Sequence, residues 1–161
     1  MNTVLAVAQK GEAILTLQAA AILPKEFKSP WLYALAEAMH TTMLQCNGVG
    51  IAAPQVYVSK RLIIVASKPN PRYPNAPEMA PIVMVNPEII GVSEQQNLGE
   101  EGCLSVPNER GSVSRASQIH VRYFNLDGDV FELELFDFPA RIVQHEIDHL
   151  NGVLFVDRLL A

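Results

Sequence analysis

The chain has 161 residues, 49% of them hydrophobic, with 12 basic and 17 acidic side chains for a formal net charge of −5. This length fits one domain around one core, spanning residues 1–161, and the apolar content excludes wholesale disorder. The charges are interspersed without a Lys/Arg run, which argues against nucleic acid as a partner.

Taken in chain order, residues 13–23 are mostly apolar, but Thr16 and Gln18 interrupt them and Pro24 ends them, short of the ~20 residues of a membrane span. Gly11-Glu12 separates Lys10 from this run, and Pro24-Lys25-Glu26 stands where a signal peptide would carry small residues. The segment therefore reads as part of the fold, and the protein is expected to be cytoplasmic, with no membrane association. Ser29-Pro30 followed by Trp31, Leu32, Leu35, Met39 and Met43 predicts a helix: Ser29 can cap it, Pro30 suits its first turn, and Asn47-Gly48 stops it. Strand-like runs follow at 61–66, 82–86 and 88–92. Between the first two, residues 68–81 hold five of the eleven prolines and can be neither helix nor inner strand, so they are expected to form a surface connection. Residues 118–124 and 130–136 flank Asp127-Gly128, a hairpin signal. The chain then turns at Asp137-Phe138-Pro139 into a second helix, 140–150, with Asp137 as its cap and Asn151-Gly152 closing it. The expected fold is α+β: mostly antiparallel sheets packed around a central helix.

That second helix carries Gln144-His145-Glu146-Ile147-Asp148-His149. Histidines four apart lie on one face a turn apart, so both imidazoles can reach one metal ion, and Glu146 can approach a metal-bound water without ligating the metal. A His-Glu-x-x-His pentad arises by chance on the order of once in a few hundred chains, which leaves a merely solvated polar face a weak alternative. The twelve residues after His149 include no histidine or glutamate, so the third ligand is sought upstream. Cys103, in Glu101-Gly102-Cys103-Leu104-Ser105, is the best candidate. A thiolate is a strong ligand for a divalent transition metal, and Gly102 would let the backbone approach a metal centre. Cys46, at the end of the first helix, reads as a packed thiol, and His40 and His120 lack ligand spacing.

Three separated motifs together resemble the peptide deformylase family: Gly48-Val49-Gly50-Ile51-Ala52-Ala53-Pro54-Gln55, then Glu101-Gly102-Cys103-Leu104-Ser105, then Gln144-His145-Glu146-Ile147-Asp148-His149-Leu150. The likeness spans residues 30–158. It implies a metal-dependent hydrolase that removes the N-formyl group from the formyl-methionine of newly made peptides. Cys103, His145 and His149 carry over as ligands of one divalent ion, Fe2+ by resemblance, with Zn2+, Ni2+ or Co2+ as substitutes. Metal-bound hydroxide would attack the formyl carbon, with Glu146 as general acid/base and with Gln55 and the backbone amide of Leu104 as oxyanion donors. Val49 and Gly50 would line the substrate cleft, where the peptide pairs like an added strand, and Arg115 would contact the bound peptide. The resemblance further implies formyl-methionyl peptide substrates met at the ribosome, and a monomer.

Many bacterial members continue past the last motif with a C-terminal helix, which this sequence does not carry within its 161 residues. Two rival readings are a peptidase, which shares the histidine pentad, and a non-catalytic peptide-binding copy. The cysteine motif argues against the first, and the intact Glu146 and Gln55 against the second.

The ligand assignment is directly testable. Cys103→Ala should lose tight metal binding, since two neutral imidazoles remain without the thiolate, while Cys46→Ala should keep it. Metal-to-protein ratios after dialysis separate the two, and one metal per chain in both variants would refute the assignment.

Overall fold

A computed structural model describes residues 3–159. Five strands form one antiparallel sheet: β1 (Gly50–Ala52), β2 (Leu62–Val65), β3 (Ile82–Val92), β6 (Gln118–Phe124) and β7 (Val130–Phe136), in the spatial order β1-β2-β3-β6-β7. A separate antiparallel ribbon joins β4 (Gln96–Cys103) to β5 (Val106–Ala116). The helices are α1 (Pro30–Gln45) and α2 (Asp137–Leu150). This is the α+β arrangement expected from the sequence.

The sheet is the middle layer. β2 is an unbroken apolar run, Leu62-Ile63-Ile64-Val65, buried at every position, as a strand covered on both faces must be. Leu62 and Ile64 join the cluster built by Leu32, Leu35, Met39 and Met43 of α1. Ile63 and Val65 join the opposite cluster, with Ile142, Val143, Ile147 and Leu150 of α2. The period-2 alternation of strand side chains thus feeds two helices at once. A third, smaller cluster, including Leu15, Cys103, Val113 and Phe155, closes the ribbon against the N-terminal segment.

The first helix follows its sequence signals. Ser29 Oγ accepts from the Leu32 amide at 3.1 Å, Pro30 occupies the first position, and Asn47 takes a left-handed φ of 56° as the Gly48 amide returns to Met43 O at 2.9 Å. Two expectations change. The runs 82–86 and 88–92 are one strand, because a register shift between Val85 and Glu88 absorbs Pro87, with Asn86 at φ 49°. The second helix begins at Asp137, earlier than expected, and Asp137 is not its side-chain cap: its carboxylate accepts from Asn97 Nδ2 at 3.0 Å. The β4–β5 ribbon carries no apolar alternation to signal it in the sequence, since its inward residues include Glu101 and Arg115.

Because Ile63 is fully buried at the α2 face, Ile63→Ala should lower unfolding free energy by about 2–5 kcal/mol in urea denaturation.

Candidate metal centre and substrate cleft

Helix α2 holds His145 and His149 one turn apart, with ring centroids at 5.1 Å. Cys103 ends β4, where the turn through Leu104-Ser105 sends the chain back into β5. One ligand atom from each of these buried residues lies within 4.8 Å of the others. Cys103 Sγ is 3.3 Å from His149 Nε2. One thiol and two imidazoles at this spacing fit a divalent transition ion.

The surrounding charges set the protonation of these groups. Glu101 Oε1 lies 2.9 Å from His145 Nδ1, so Nε2 is the nitrogen left to face the other ligands. Burial opposes ionisation of Glu101, but hydrogen bonds from Arg115 and His145 outweigh it and hold the carboxyl well below its usual range. Burial likewise opposes charge on Cys103 and His145. The histidines beside the thiol nevertheless bring it well down, and Cys103 and Glu101 drive the His145 imidazole up.

Glu146 behaves differently. Burial pushes its carboxyl up, and the opposing pull of His145 and His149 only partly offsets this. Its Oε1 has no hydrogen-bond partner among the described residues. A buried carboxylate left unpartnered beside a metal centre is a costly arrangement that a structural role does not call for.

A cleft opens over these groups, lined by Val49, Gly50, Gln55, Leu104, Ile142, Glu146 and the Tyr73–Phe138 pair. Gln55 sits in the 3-10 turn Ala53–Val56 and is 1% exposed. Its Oε1 accepts from the Ala52 amide at 2.9 Å, which directs Nε2 toward Ser105 Oγ at 3.1 Å and Cys103 Sγ at 3.6 Å. Gly50 is fixed by close approach: a Cβ there would lie 2.7 Å from Glu146 Oε2 and from Ile142 Cγ2, so a larger residue would lift β1 off α2.

The nine residues expected at the site do not all meet. Cys103, His145, His149, Glu146, Gln55, Leu104, Val49 and Gly50 gather around the cleft. Arg115 does not. It is 5% exposed and turned away from the cleft, bonding Glu101 through Nε and Nη2 at 2.8 Å each and Asp148 through Nη1 at 2.7 Å. The expected peptide contact gives way to a buried ion pair behind the metal ligands. Gly102 is also a close-approach position: a Cβ there would meet the guanidinium groups of Arg72 and Arg110. The proline-rich loop, expected to be a bare connection, sends Arg72 and Tyr73 into the cleft wall. Glu101 and Arg141 also belong to the site. Glu101 lies within the Glu101–Ser105 motif, but nothing in the sequence marks its partners. Cys46 is a free thiol, and His120 pairs with Glu132 at 2.8 Å on the exposed sheet face.

A cysteine and two helix-borne histidines beside a buried carboxylate define the site of a metal-dependent hydrolase. The model of the polypeptide deformylase family matches residues 4–161, and the chain belongs to that family, whose enzymes remove the N-formyl group from nascent peptides. It is 50% identical over 144 residues to peptide deformylase 2 of Nostoc sp., covering 89% of this chain and 80% of that protein. It is 49% identical over 157 residues to peptide deformylase 2 of Shewanella oneidensis, covering 98% and 85%. The crystal structure of the Met-Ala-Ser-bound class I type b peptide deformylase from Acinetobacter baumannii superposes with a TM-score of 0.97 at 64% identity, covering 99% of this chain and all of that one.

Arg115→Met should remove one buried cationic partner from each of Glu101 and Asp148, leaving them Arg141 and Arg158, and lower stability by about 3–5 kcal/mol. Chemical denaturation of the metal-loaded protein checks this; a residue serving only to touch peptide would raise KM and leave stability alone.

Proposed function

We propose that residues 1–161 act as one catalytic domain that deformylates the N-terminal formyl-methionine of new peptides, with Cys103, His145 and His149 as metal ligands. The observation that carries this is the unpartnered, buried Glu146 carboxylate set against three converging ligand atoms. We assign the resident ion as Fe2+, with Zn2+, Ni2+ or Co2+ able to occupy the same donors. When bound, such an ion acts as a Lewis acid toward the formyl carbonyl and toward water.

The chain's own residues do the rest. Glu146, raised by burial, accepts a proton from the attacking water and passes it to the departing amine. Gln55 Nε2 and the Leu104 backbone amide donate to the oxyanion, and loss of one such donor typically costs ~3 kcal/mol of barrier. β1 lies at one edge of the five-stranded sheet, so the backbone at Val49 and Gly50 can pair with an extended peptide as an added strand. Ile142, Phe138 and Tyr73 offer an apolar wall for the methionine side chain. A formyl hydrogen fits beside Gly50 and Leu104 where an acetyl methyl would clash. The enzyme works as a monomer in the cytoplasm, meeting its substrates as they leave the ribosome; in keeping with that, no helix of the described residues is long and apolar enough to cross a membrane.

Glu146→Gln should retain its metal and fold while kcat on a formyl-Met peptide falls by at least ~10², with KM moving far less. The parent protein should discriminate strongly against the acetyl-Met peptide. Near-normal turnover by the variant would assign the proton to another group, and equal rates on the two acyl groups would sink the substrate assignment.

A further inference from the structure

The two donors assigned to the oxyanion stand on separate elements. Gln55 lies in the 3-10 turn Ala53–Val56, and Leu104 and Ser105 make the two-residue hairpin between β4 and β5. Among the described residues, no backbone hydrogen bond joins that turn to that hairpin. The N-terminal segment joins them instead. The Ala8 amide donates to Gln55 O at 2.7 Å, and the Lys10 amide donates to Ser105 O at 2.8 Å. Ala8 and Ser105 are both fully buried.

Between these ties the chain makes a tight turn, Gln9 to Glu12. The Glu12 amide returns to Gln9 O at 3.0 Å, and Gly11, third in the turn, has a φ of 101°. Lys10, in second place, is not at positive φ, so the turn is type II. Glu12 holds it from both sides: one carboxylate oxygen accepts from the Gln9 amide at 2.6 Å, and the other from the Tyr57 hydroxyl at 2.8 Å. Tyr57 directly follows the Gln55 turn, at its left-handed end with φ 68°. The segment is thus fastened to the Gln55 element at Ala8 and Glu12, and to the ribbon at Lys10. None of residues 8–12 lines the cleft, so contact with substrate does not account for the arrangement.

We infer that residues 8–12 form a strap that sets the spacing between Gln55 Nε2 and the Leu104 amide, with Lys10 a positioning residue through its backbone amide. The inference rests on the proposed deformylase reaction and adds to it an element outside the three motifs. Two donors serve one oxyanion only when both lie within about 2.7–3.1 Å of the same point before the reaction begins. Drift between their elements would weaken the transition state more than it weakens substrate binding.

Lys10→Pro tests the tie. Proline suits the second position of a type II turn, so the turn is kept, but the amide to Ser105 O is lost and a ring carbon takes its place. Lys10→Ala is the reference, since it loses the exposed Glu109 pair and keeps the amide. On formyl-Met-Ala-Ala, kcat of the metal-loaded Lys10→Pro should lie about 10-fold below that of Lys10→Ala, with KM within about 2-fold and equal metal content. In a Gln55→Ala background the same change should cost less than about 3-fold, because the donor it aligns is gone. Equal kcat in Lys10→Pro and Lys10→Ala, or a cost unchanged by Gln55→Ala, overturns the inference. Should Lys10→Pro fail to fold, Tyr57→Phe enters the same cycle, releasing Glu12 at an exposed position. Its loss of kcat should shrink on Gln55→Ala, and losses that simply add overturn the inference equally. Amide hydrogen exchange supplies a readout independent of turnover: the Ala8 and Lys10 amides of the parent should be protected, and exchange at unprotected rates overturns the strap. No turnover of any formyl peptide by the parent would instead overturn the deformylase reading, with the exchange result still deciding the ties.

Discussion

The Glu101 carboxylate is the group on which the rest of the site depends, because it ties the β4–β5 ribbon to helix α2. It accepts from Arg115 of the ribbon at 2.8 Å, from Arg141 of the helix at 2.6 Å, and faces His145 Nδ1 at 2.9 Å. Each of these groups is buried, and a buried charge without its partner costs several kcal/mol. Asp148 extends the network on the same helix, taking Arg115 on one side and Arg158 on the other. The arrangement fixes the ribbon's height against the helix, and with it the distance from Cys103 to the two histidines. It also fixes the His145 ring by engaging one nitrogen, while Nδ1 of His149 has no partner among the described residues. Among the described residues, a carboxylate engages the Nδ1 of His145 and none engages that of His149.

Helix α2 answers to two demands at once. From Ala140 to Leu150 all its residues but Gln144 are buried, so it cannot keep its polar side chains in water as a surface helix does. Ile142, Val143, Ile147 and Leu150 pack on the sheet, and His145, Glu146, Asp148 and His149 need partners on the other side. The ribbon supplies them, which is why its inward face is charged and polar. Gln144 shows the same logic at the margin, bonding the Ala116 amide at 3.1 Å and carbonyl at 3.0 Å as a neighbouring strand would. Glu146 alone is left without this compensation, and it is the group aimed into the cleft.

This division separates the site from that of a peptidase sharing the histidine pentad. There the third ligand comes from a glutamate or histidine downstream. Here the ligand Cys103 arrives on a ribbon from the far side of the helix, and the same ribbon brings the arginines that hold the helix in place. A metal held by these donors would bridge the ribbon to the helix, since the donors sit on separate elements.

The sequence by itself determined the parts governed by short-range chemistry. Ser29-Pro30 and Asn47-Gly48 bounded α1, Asp127-Gly128 turned the β6–β7 hairpin, and histidines four apart put two ligands on one helix face. Recurring motifs named Cys103 and Gln55. Tertiary structure decided what depends on partners distant in the chain. Arg115 reads as a peptide contact until Glu101 and Asp148, 14 and 33 residues away, are seen closing around it. The ribbon was illegible because charge pairing, and not apolar alternation, buries its inner face. The proline loop reads as a mere connection until Asn70 and Gly102 are seen to aim Arg72 and Tyr73 at the cleft. A capping signal or a period is written in neighbouring residues, whereas the partner of a buried charge is chosen only when the chain folds back on itself.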